Sequence, residues 1–203
     1  MMRDADRVVA VVLAAGASSR MGRPKALLDF DGTPCVGRVV DTCRQAGVSQ
    51  VVLVTAPGGA EVRAQCAGTI EAINQQPERG MLSSLQAGLE RLPGAAGFLI
   101  FPVDFPVVPA AEVRRLIEAF GRRGAGQRIF IPSFDRRRGH PVLVEAGLAP
   151  EFLALPPQSS ARAVMAAHER EIAYVEAADD LVLLDMDTPE DYRRCLERSR
   201  RIG

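Results

Sequence analysis

Short apolar runs alternate with longer amphipathic stretches from the first ten residues onward, and that alternation constrains the fold more than any other feature. Val8–Ala14, Gln50–Thr55, Gly97–Phe101, Arg128–Ile131 and Pro141–Val144 read as strands, with Ile172–Val175 and Leu181–Leu184 as further candidates. Several are apolar without a polar alternation, the pattern of strands covered on both faces. Pro34–Ala46, Leu82–Leu92, Ala110–Gly121, Ser160–His168 and Pro189–Arg198 read as helices. Thr33 before Pro34 reads as a cap with proline at the first helical position, and Thr188-Pro189-Glu190-Asp191 repeats that logic. Such an order implies an α/β chain with a mostly parallel central sheet and helices on both faces. No repeat or linker interrupts it, and 203 residues suit a single domain spanning 1–203.

Composition then removes several function classes. The chain balances 25 Lys+Arg against 25 Asp+Glu, which leaves no basic surplus for nucleic acid or an acidic membrane. With 8 Phe, 2 Tyr and no Trp, it has little on which to stack exposed bases. The apolar run at 8–15 imitates a signal peptide, but Asp4 and Asp6 cancel Arg3 and Arg7 before it. It is also too short to cross a bilayer, so it reads as a buried strand. Cys35, Cys43, Cys66 and Cys195 form no C-x-x-C pair and adjoin no histidine. They read as buried, reduced thiols of a cytoplasmic protein rather than a zinc site. The cations are lopsided: 24 of the 25 are arginine, and the only lysine is Lys25, inside the first glycine-rich stretch.

In parallel sheets, ligands bind just beyond the carboxyl ends of the strands. After the first strand, Leu13, Ala14, Ala15 and Gly16 open a small-residue loop that continues through Arg20 to Lys25. Its backbone amides can approach a phosphate closely, and its two side chains supply positive charge. It has neither the G-x-G-x-x-G of a dinucleotide site nor the G-K-[ST] of a Walker loop, which argues against a nicotinamide oxidoreductase. After Gly97–Phe101, Asp104 stands alone among apolar residues and two prolines, as a Mg²⁺ ligand would. Asp185 and Asp187 lie between a candidate strand and a helix; one would join Asp104 on the metal while the other caps the helix. Gly80 leads into a helix whose first turn carries Ser83 and Ser84, suited to a phosphate or a base edge. His140, before Pro141, reads as a substrate contact, since no nearby Ser or Cys completes a triad.

These stretches, LAAGASSRMGRPK, NQQPERGMLSSLQAGL, FPVDFPV, RGHPVLV and DMDTPEDY, resemble the MobA-like nucleotidyltransferases, and within them the molybdenum cofactor cytidylyltransferases. The likeness runs from about Val8 to Tyr192. It implies a Rossmann-like nucleotidyltransferase fold and transfer of CMP from CTP to a molybdopterin-type phosphate. Mg²⁺, or Mn²⁺ in its place, would support the reaction. Ala14-Ala15-Gly16 goes with the CTP-using branch. Arg20 and Lys25 would hold the triphosphate; Asp104, with Asp185 or Asp187, would hold the metal. Gly80 and Ser84 would lie against the nucleotide, and Ser83 and His140 toward the acceptor. The product would pass through transient contact with a molybdoenzyme or its chaperone, without nucleic acid or membrane. The chain departs from the family at Val103, Phe105 and Ser160, all on the acceptor side. Rival acceptors are sugar or polyol phosphates, and a rival role is non-catalytic cofactor carriage.

Overall fold

The computed structural model describes residues 7–16 and 24–201. The chain opens with β1 (Val8–Leu13), a two-residue ribbon of β2 (Asp29–Phe30) and β3 (Thr33–Pro34), and α1 (Cys35–Gln45). It continues through β4 (Gln50–Thr55), α2 (Ala60–Ala64), β5 (Ile70–Ile73), α3 (Met81–Leu89) and β6 (Gly97–Pro102). The remainder runs α4 (Ala110–Gly121), β7 (Ile129–Phe134), β8 (Arg137–Arg138), β9 (Val142–Glu145), α5 (Ala149–Ala154), α6 (Arg162–Ala167), β10 (Ile172–Glu176) and α7 (Pro189–Arg200).

The main sheet has the order β10-β7-β9-β6-β1-β4-β5, with β8 paired to β7. It is mostly parallel, as the sequence implies; β9 alone runs antiparallel to both its neighbours, β6 and β7. Every residue of β1 is buried. Val8, Ala10 and Val12 face a layer built from α1, α4 and α7, where Val36, Val39, Leu116 and Cys195 pack. Val9, Val11 and Leu13 face the opposite layer, with Leu85 and Leu89 of α3, Phe152 of α5 and Val164 of α6. Unbroken apolar runs therefore mark strands sandwiched between helices.

Three sequence expectations change. Leu181–Leu184 is not a strand: Asp180–Leu183 winds as a 3-10 helix after Asp179, whose side chain accepts the Asp180 N–H. A four-residue apolar run fits either geometry, and local capping decides it. Thr33 does not cap α1, because Thr33-Pro34 forms β3 and Pro34 takes the cap position without a side-chain hydrogen bond. Neither Asp185 nor Asp187 caps α7. Thr188 does so, accepting from Asp191 N–H while the Asp191 carboxylate accepts from Thr188 N–H. That reciprocal box satisfies the exposed amides and leaves both aspartates out of the cap. β5, α2 and α5 escape the sequence reading because each is too short to display a period.

α3 reaches the sheet closely because Gly88 has no side chain. A Cβ there would lie 2.4 Å from Val11 Cγ1 and 2.9 Å from Val54 Cγ2. Gly88→Ala should therefore push α3 off β1 and β4, costing about 1–3 kcal/mol. Chemical denaturation checks this, and an unchanged midpoint would contradict the close approach.

Candidate active site

The strand order reverses at β1. The chain runs outward from β1 to β4 and β5, then returns to place β6 on the other side of β1. The crevice beyond the carboxyl ends of β1 and β6 is thus a topological switch point, where open α/β sheets bind ligands. A cavity of about 400 Å³ opens there, a size suited to a small-molecule ligand. It is lined by Leu13 at the end of β1 and Ala14, Ala15 and Gly16 beyond it, by Lys25, by Gly80 and Ser84 at the start of α3, by Asp104 after β6, and by Asp187 before α7. Four of the five sequence motifs so converge on one cavity. Arg20 lies outside the described residues.

Lys25 is fixed at its center of charge. Its Nζ lies 2.5 Å from Asp187 Oδ1 and 4.0 Å from Asp104 Oδ2. The Asp104 carboxyl is held above the usual carboxylate range, chiefly by burial; Lys25 opposes the shift, while Asp187 and Asp185 add repulsion. Asp104 Oδ1 is buried without a hydrogen-bond partner among the described residues. The Asp104 loop is anchored from behind, where Cys35 Sγ donates to Val103 O at 3.0 Å and Arg38 Nε donates to Pro106 O at 3.4 Å. Of the C-terminal pair, Asp187 faces the cavity; Asp185 is not among its lining residues.

This donor set fits a divalent cation. An under-bonded carboxylate oxygen and a second acid sharing one ammonium leave negative charge that a metal would complete. Among the described residues no three His, Cys, Asp or Glu side chains gather into a ready-made metal cage. Mg²⁺ needs no such cage, because it is commonly held by one or two carboxylates together with substrate phosphates.

The two serines take different places, Ser84 at the cavity and Ser83 away from it. Asn74 Nδ2 donates to Ser83 Oγ at 2.9 Å and to Ser84 Oγ at 3.0 Å. Ser83 Oγ in turn donates to Gly80 O at 2.8 Å and lies 3.1 Å from Gln76 O. Ser83 therefore braces the loop before α3 and does not line the cavity; Ser84 does. Sequence reasoning quotes Asn74 but misses its task as organiser, since only its burial and its two hydroxyl partners show it. Gly80 has φ +86°, a left-handed conformation that favours glycine, and it turns the chain so that α3 begins at the cavity wall. Met81, 53% exposed, stands at the same wall and is likewise missed.

His140 stands apart from the cavity lining. Its ring packs on Phe105, the neighbour of Asp104, with centroids 4.6 Å apart. Burial pushes its pKa down to about 4, against a backbone hydrogen bond to Ile100. Nδ1 is buried without a partner among the described residues. A ring that stays neutral at pH 7 can shape the ground beside Asp104 but is a weak base.

The fold and the crevice are those of the nucleotidyltransferase class. Residues 10–172 match the MobA-like NTP transferase domain, and the chain belongs to that family. A protein of Paenarthrobacter nicotinovorans named nicotine blue oxidoreductase is 32% identical over 200 residues, covering 93% of this chain and 96% of its own length. The molybdenum cofactor guanylyltransferase of Xanthomonas euvesicatoria pv. vesicatoria is 35% identical over 107 residues, 53% of this chain and 52% of that protein. The match to the bifunctional protein GlmU of Acidovorax sp. (strain JS42) spans only 26% of that relative. Among solved structures, a nucleotidyl transferase from Methanothermobacter superposes with TM-score 0.82 at 25% identity, over 97% of this chain and 99% of that one. Rv0371c of Mycobacterium tuberculosis, in complex with manganese, superposes with TM-score 0.74 at 30% identity, over 94% of this chain and 98% of its own.

The His140 shift carries a pH consequence. An unfolded imidazole takes up a proton near pH 6.5, whereas the folded one does so only near 4. Between those values the unfolded chain binds more protons, so this contribution is intact above about 6.5 and is lost as pH falls toward 4. Unfolding free energy should drop by about 2 kcal/mol from this group between roughly pH 7 and pH 5. His140→Gln should flatten that slope in denaturant titrations; an equal slope in both proteins would contradict the assignment.

Proposed function

We propose that the chain transfers a nucleoside monophosphate, CMP from CTP, to the phosphate of a molybdopterin-type acceptor, with release of pyrophosphate. The observation that carries the reading is the lone lysine held between Asp104 and Asp187 at the switch-point cavity. A cation and two acids at that point suit a triphosphate and its metal. Ala14-Ala15-Gly16 along the wall favours CTP through the family resemblance. The guanylyltransferase relative supports a molybdenum cofactor acceptor, and the manganese-bound neighbour supports a divalent metal.

In the proposed reaction an acceptor phosphate oxygen attacks the α-phosphorus, a new P–O bond forms, and the bond to the β-phosphate breaks. The acceptor is already anionic, so no general base is needed; positioning and neutralisation of charge do the catalysis. Lys25 and the amides beyond β1 hold the triphosphate, joined in this proposal by Arg20. Asp104 and one of Asp185 and Asp187, of which Asp187 faces the cavity, hold Mg²⁺ or Mn²⁺. The bound metal would neutralise phosphate charge and polarise the α-phosphate. Gly80 and Ser84 line the nucleotide, while Ser83 and His140 act on the acceptor side by shaping the walls around it.

A second reading has one observation behind it: the relative matched over nearly its full length is named an oxidoreductase. Incubation with CTP, GTP, ATP or UTP, Mg²⁺ and a molybdopterin acceptor, followed for pyrophosphate, separates the two. Release with CTP supports the proposal. Release only with sugar phosphates as acceptor would change the acceptor, and release with none, alongside oxidation of a reduced nicotinamide, would replace the proposal with the second reading. Lys25→Ala should lower turnover by on the order of 10²–10³, as for loss of one preorganised transition-state donor. Turnover near that of the parent in a folded Lys25→Ala protein would remove Lys25 from this role.

A further inference from the structure

A second cavity, of about 500 Å³, opens on the side of the sheet covered by α1, α4 and α7, and shares no lining residue with the Lys25 cavity. Its walls are Arg38 of α1, residues 107–110 at the entry to α4, and Asp31, Ser199 and Arg200. α4 runs for 12 residues, and Pro109 stands at its cap without a side-chain hydrogen bond. Glu112 N–H donates to Pro109 O at 3.0 Å, whereas the amides of Ala110 and Ala111 have no acceptor among the described residues. Free amides at a helix N-terminus attract an anion. A separate observation at the end of α7 points the same way. Ser199 is only 7% exposed and lines this cavity, yet its hydroxyl has no hydrogen-bond partner among the described residues. A buried hydroxyl is ordinarily bonded.

The charges around the cavity favour the same kind of ligand. Asp31 is matched by Arg200, whose Nε and Nη2 donate to its Oδ1 at 3.1 and 2.7 Å. Arg38 makes no ion pair among the described residues; its Nε donates to Pro106 O at 3.4 Å and its guanidinium lies 5.5 Å from the Phe30 ring centroid. Its terminal nitrogens are left for a ligand. Glu112, the acid in the first turn of α4, accepts the Ala178 N–H at 3.2 Å and does not line the cavity. We infer that this cavity binds a small phosphate-bearing anion, a phosphate monoester or free phosphate, held by Arg38, the Ser199 hydroxyl and the amides of Ala110 and Ala111. Arginine and helix amides suit phosphate oxygens, and Val107, Val108 and Pro109 give an organic body an apolar wall. The site does not depend on the nucleotide-transfer reading.

The test is anion binding followed by NMR. Inorganic phosphate and phenyl phosphate are titrated separately into the isotope-labelled full chain, with ionic strength held constant by chloride. Saturable shifts are expected at the amides of Ala110 and Ala111, and Lys25→Ala, which alters the other cavity, should leave them unchanged. Arg38→Gln should weaken binding by about tenfold or more, as for loss of a charge-assisted hydrogen bond, and Ser199→Ala by about fivefold. Tighter binding of phenyl phosphate assigns the site to a phosphate monoester, and equal or tighter binding of inorganic phosphate assigns it to free phosphate; both support it. Should Arg38→Gln lose its fold, as judged by circular dichroism, Ser199→Ala decides. Shifts that do not saturate, that chloride alone reproduces, or that persist unchanged in the folded variants overturn the inference.

Discussion

All six residues of β1 are buried, and they take their cover from helices on both sides of the sheet. That requirement fixes the chain around β1: β4 and β6 flank it, α1 and α4 seal one face, and α3 and α5 seal the other. Once β1 is central and the strand order reverses beside it, the ends of β1 and β6 must splay around a crevice. Leu13 through Gly16 and Asp104 are delivered to the same crevice by that constraint. Gly88 completes the arrangement by letting α3 press against Val11 and Val54, which brings the turn at Gly80 to the third wall.

The electrostatics of the cavity follow from what this packing concentrates. A chain of zero formal charge places one lysine and two acids together where a metal and a triphosphate would meet. Burial raises the cost of the Asp104 carboxylate, and Lys25 offsets part of it. The cluster sets one ammonium against two carboxylates. The anchoring of the Asp104 loop by Cys35 and Arg38 keeps that balance in place.

Much of this is legible in the residues. Strands covered on both faces announce themselves as unbroken apolar runs, and the strand-end rule points to the loop of Lys25 and to Asp104 in the sequence, whereas Asp185 and Asp187 stay alternatives there and follow a 3-10 helix rather than a strand. The failures are equally physical. Leu181–Leu184 is too short for its period to distinguish a strand from a 3-10 helix. Thr33 looks like a cap, yet pairing with Phe30 claims its backbone first. Ser83 looks like a ligand-binding hydroxyl, but Asn74, distant by nine residues, turns it inward to brace the loop. Tertiary partners decide such cases, and a single sequence carries no record of them.

The central claim is that the nucleotide and its metal meet at Lys25, Asp104 and Asp187. A crystal structure with Mn²⁺ and a non-hydrolysable CTP analogue, with the metal located by anomalous scattering, tests it most directly. The anomalous peak should lie at coordination distance from Asp104 and an aspartate before α7, with Lys25 Nζ turned onto phosphate oxygen. Nucleotide bound with Lys25 still on Asp187, and no peak at Asp104, would contradict it.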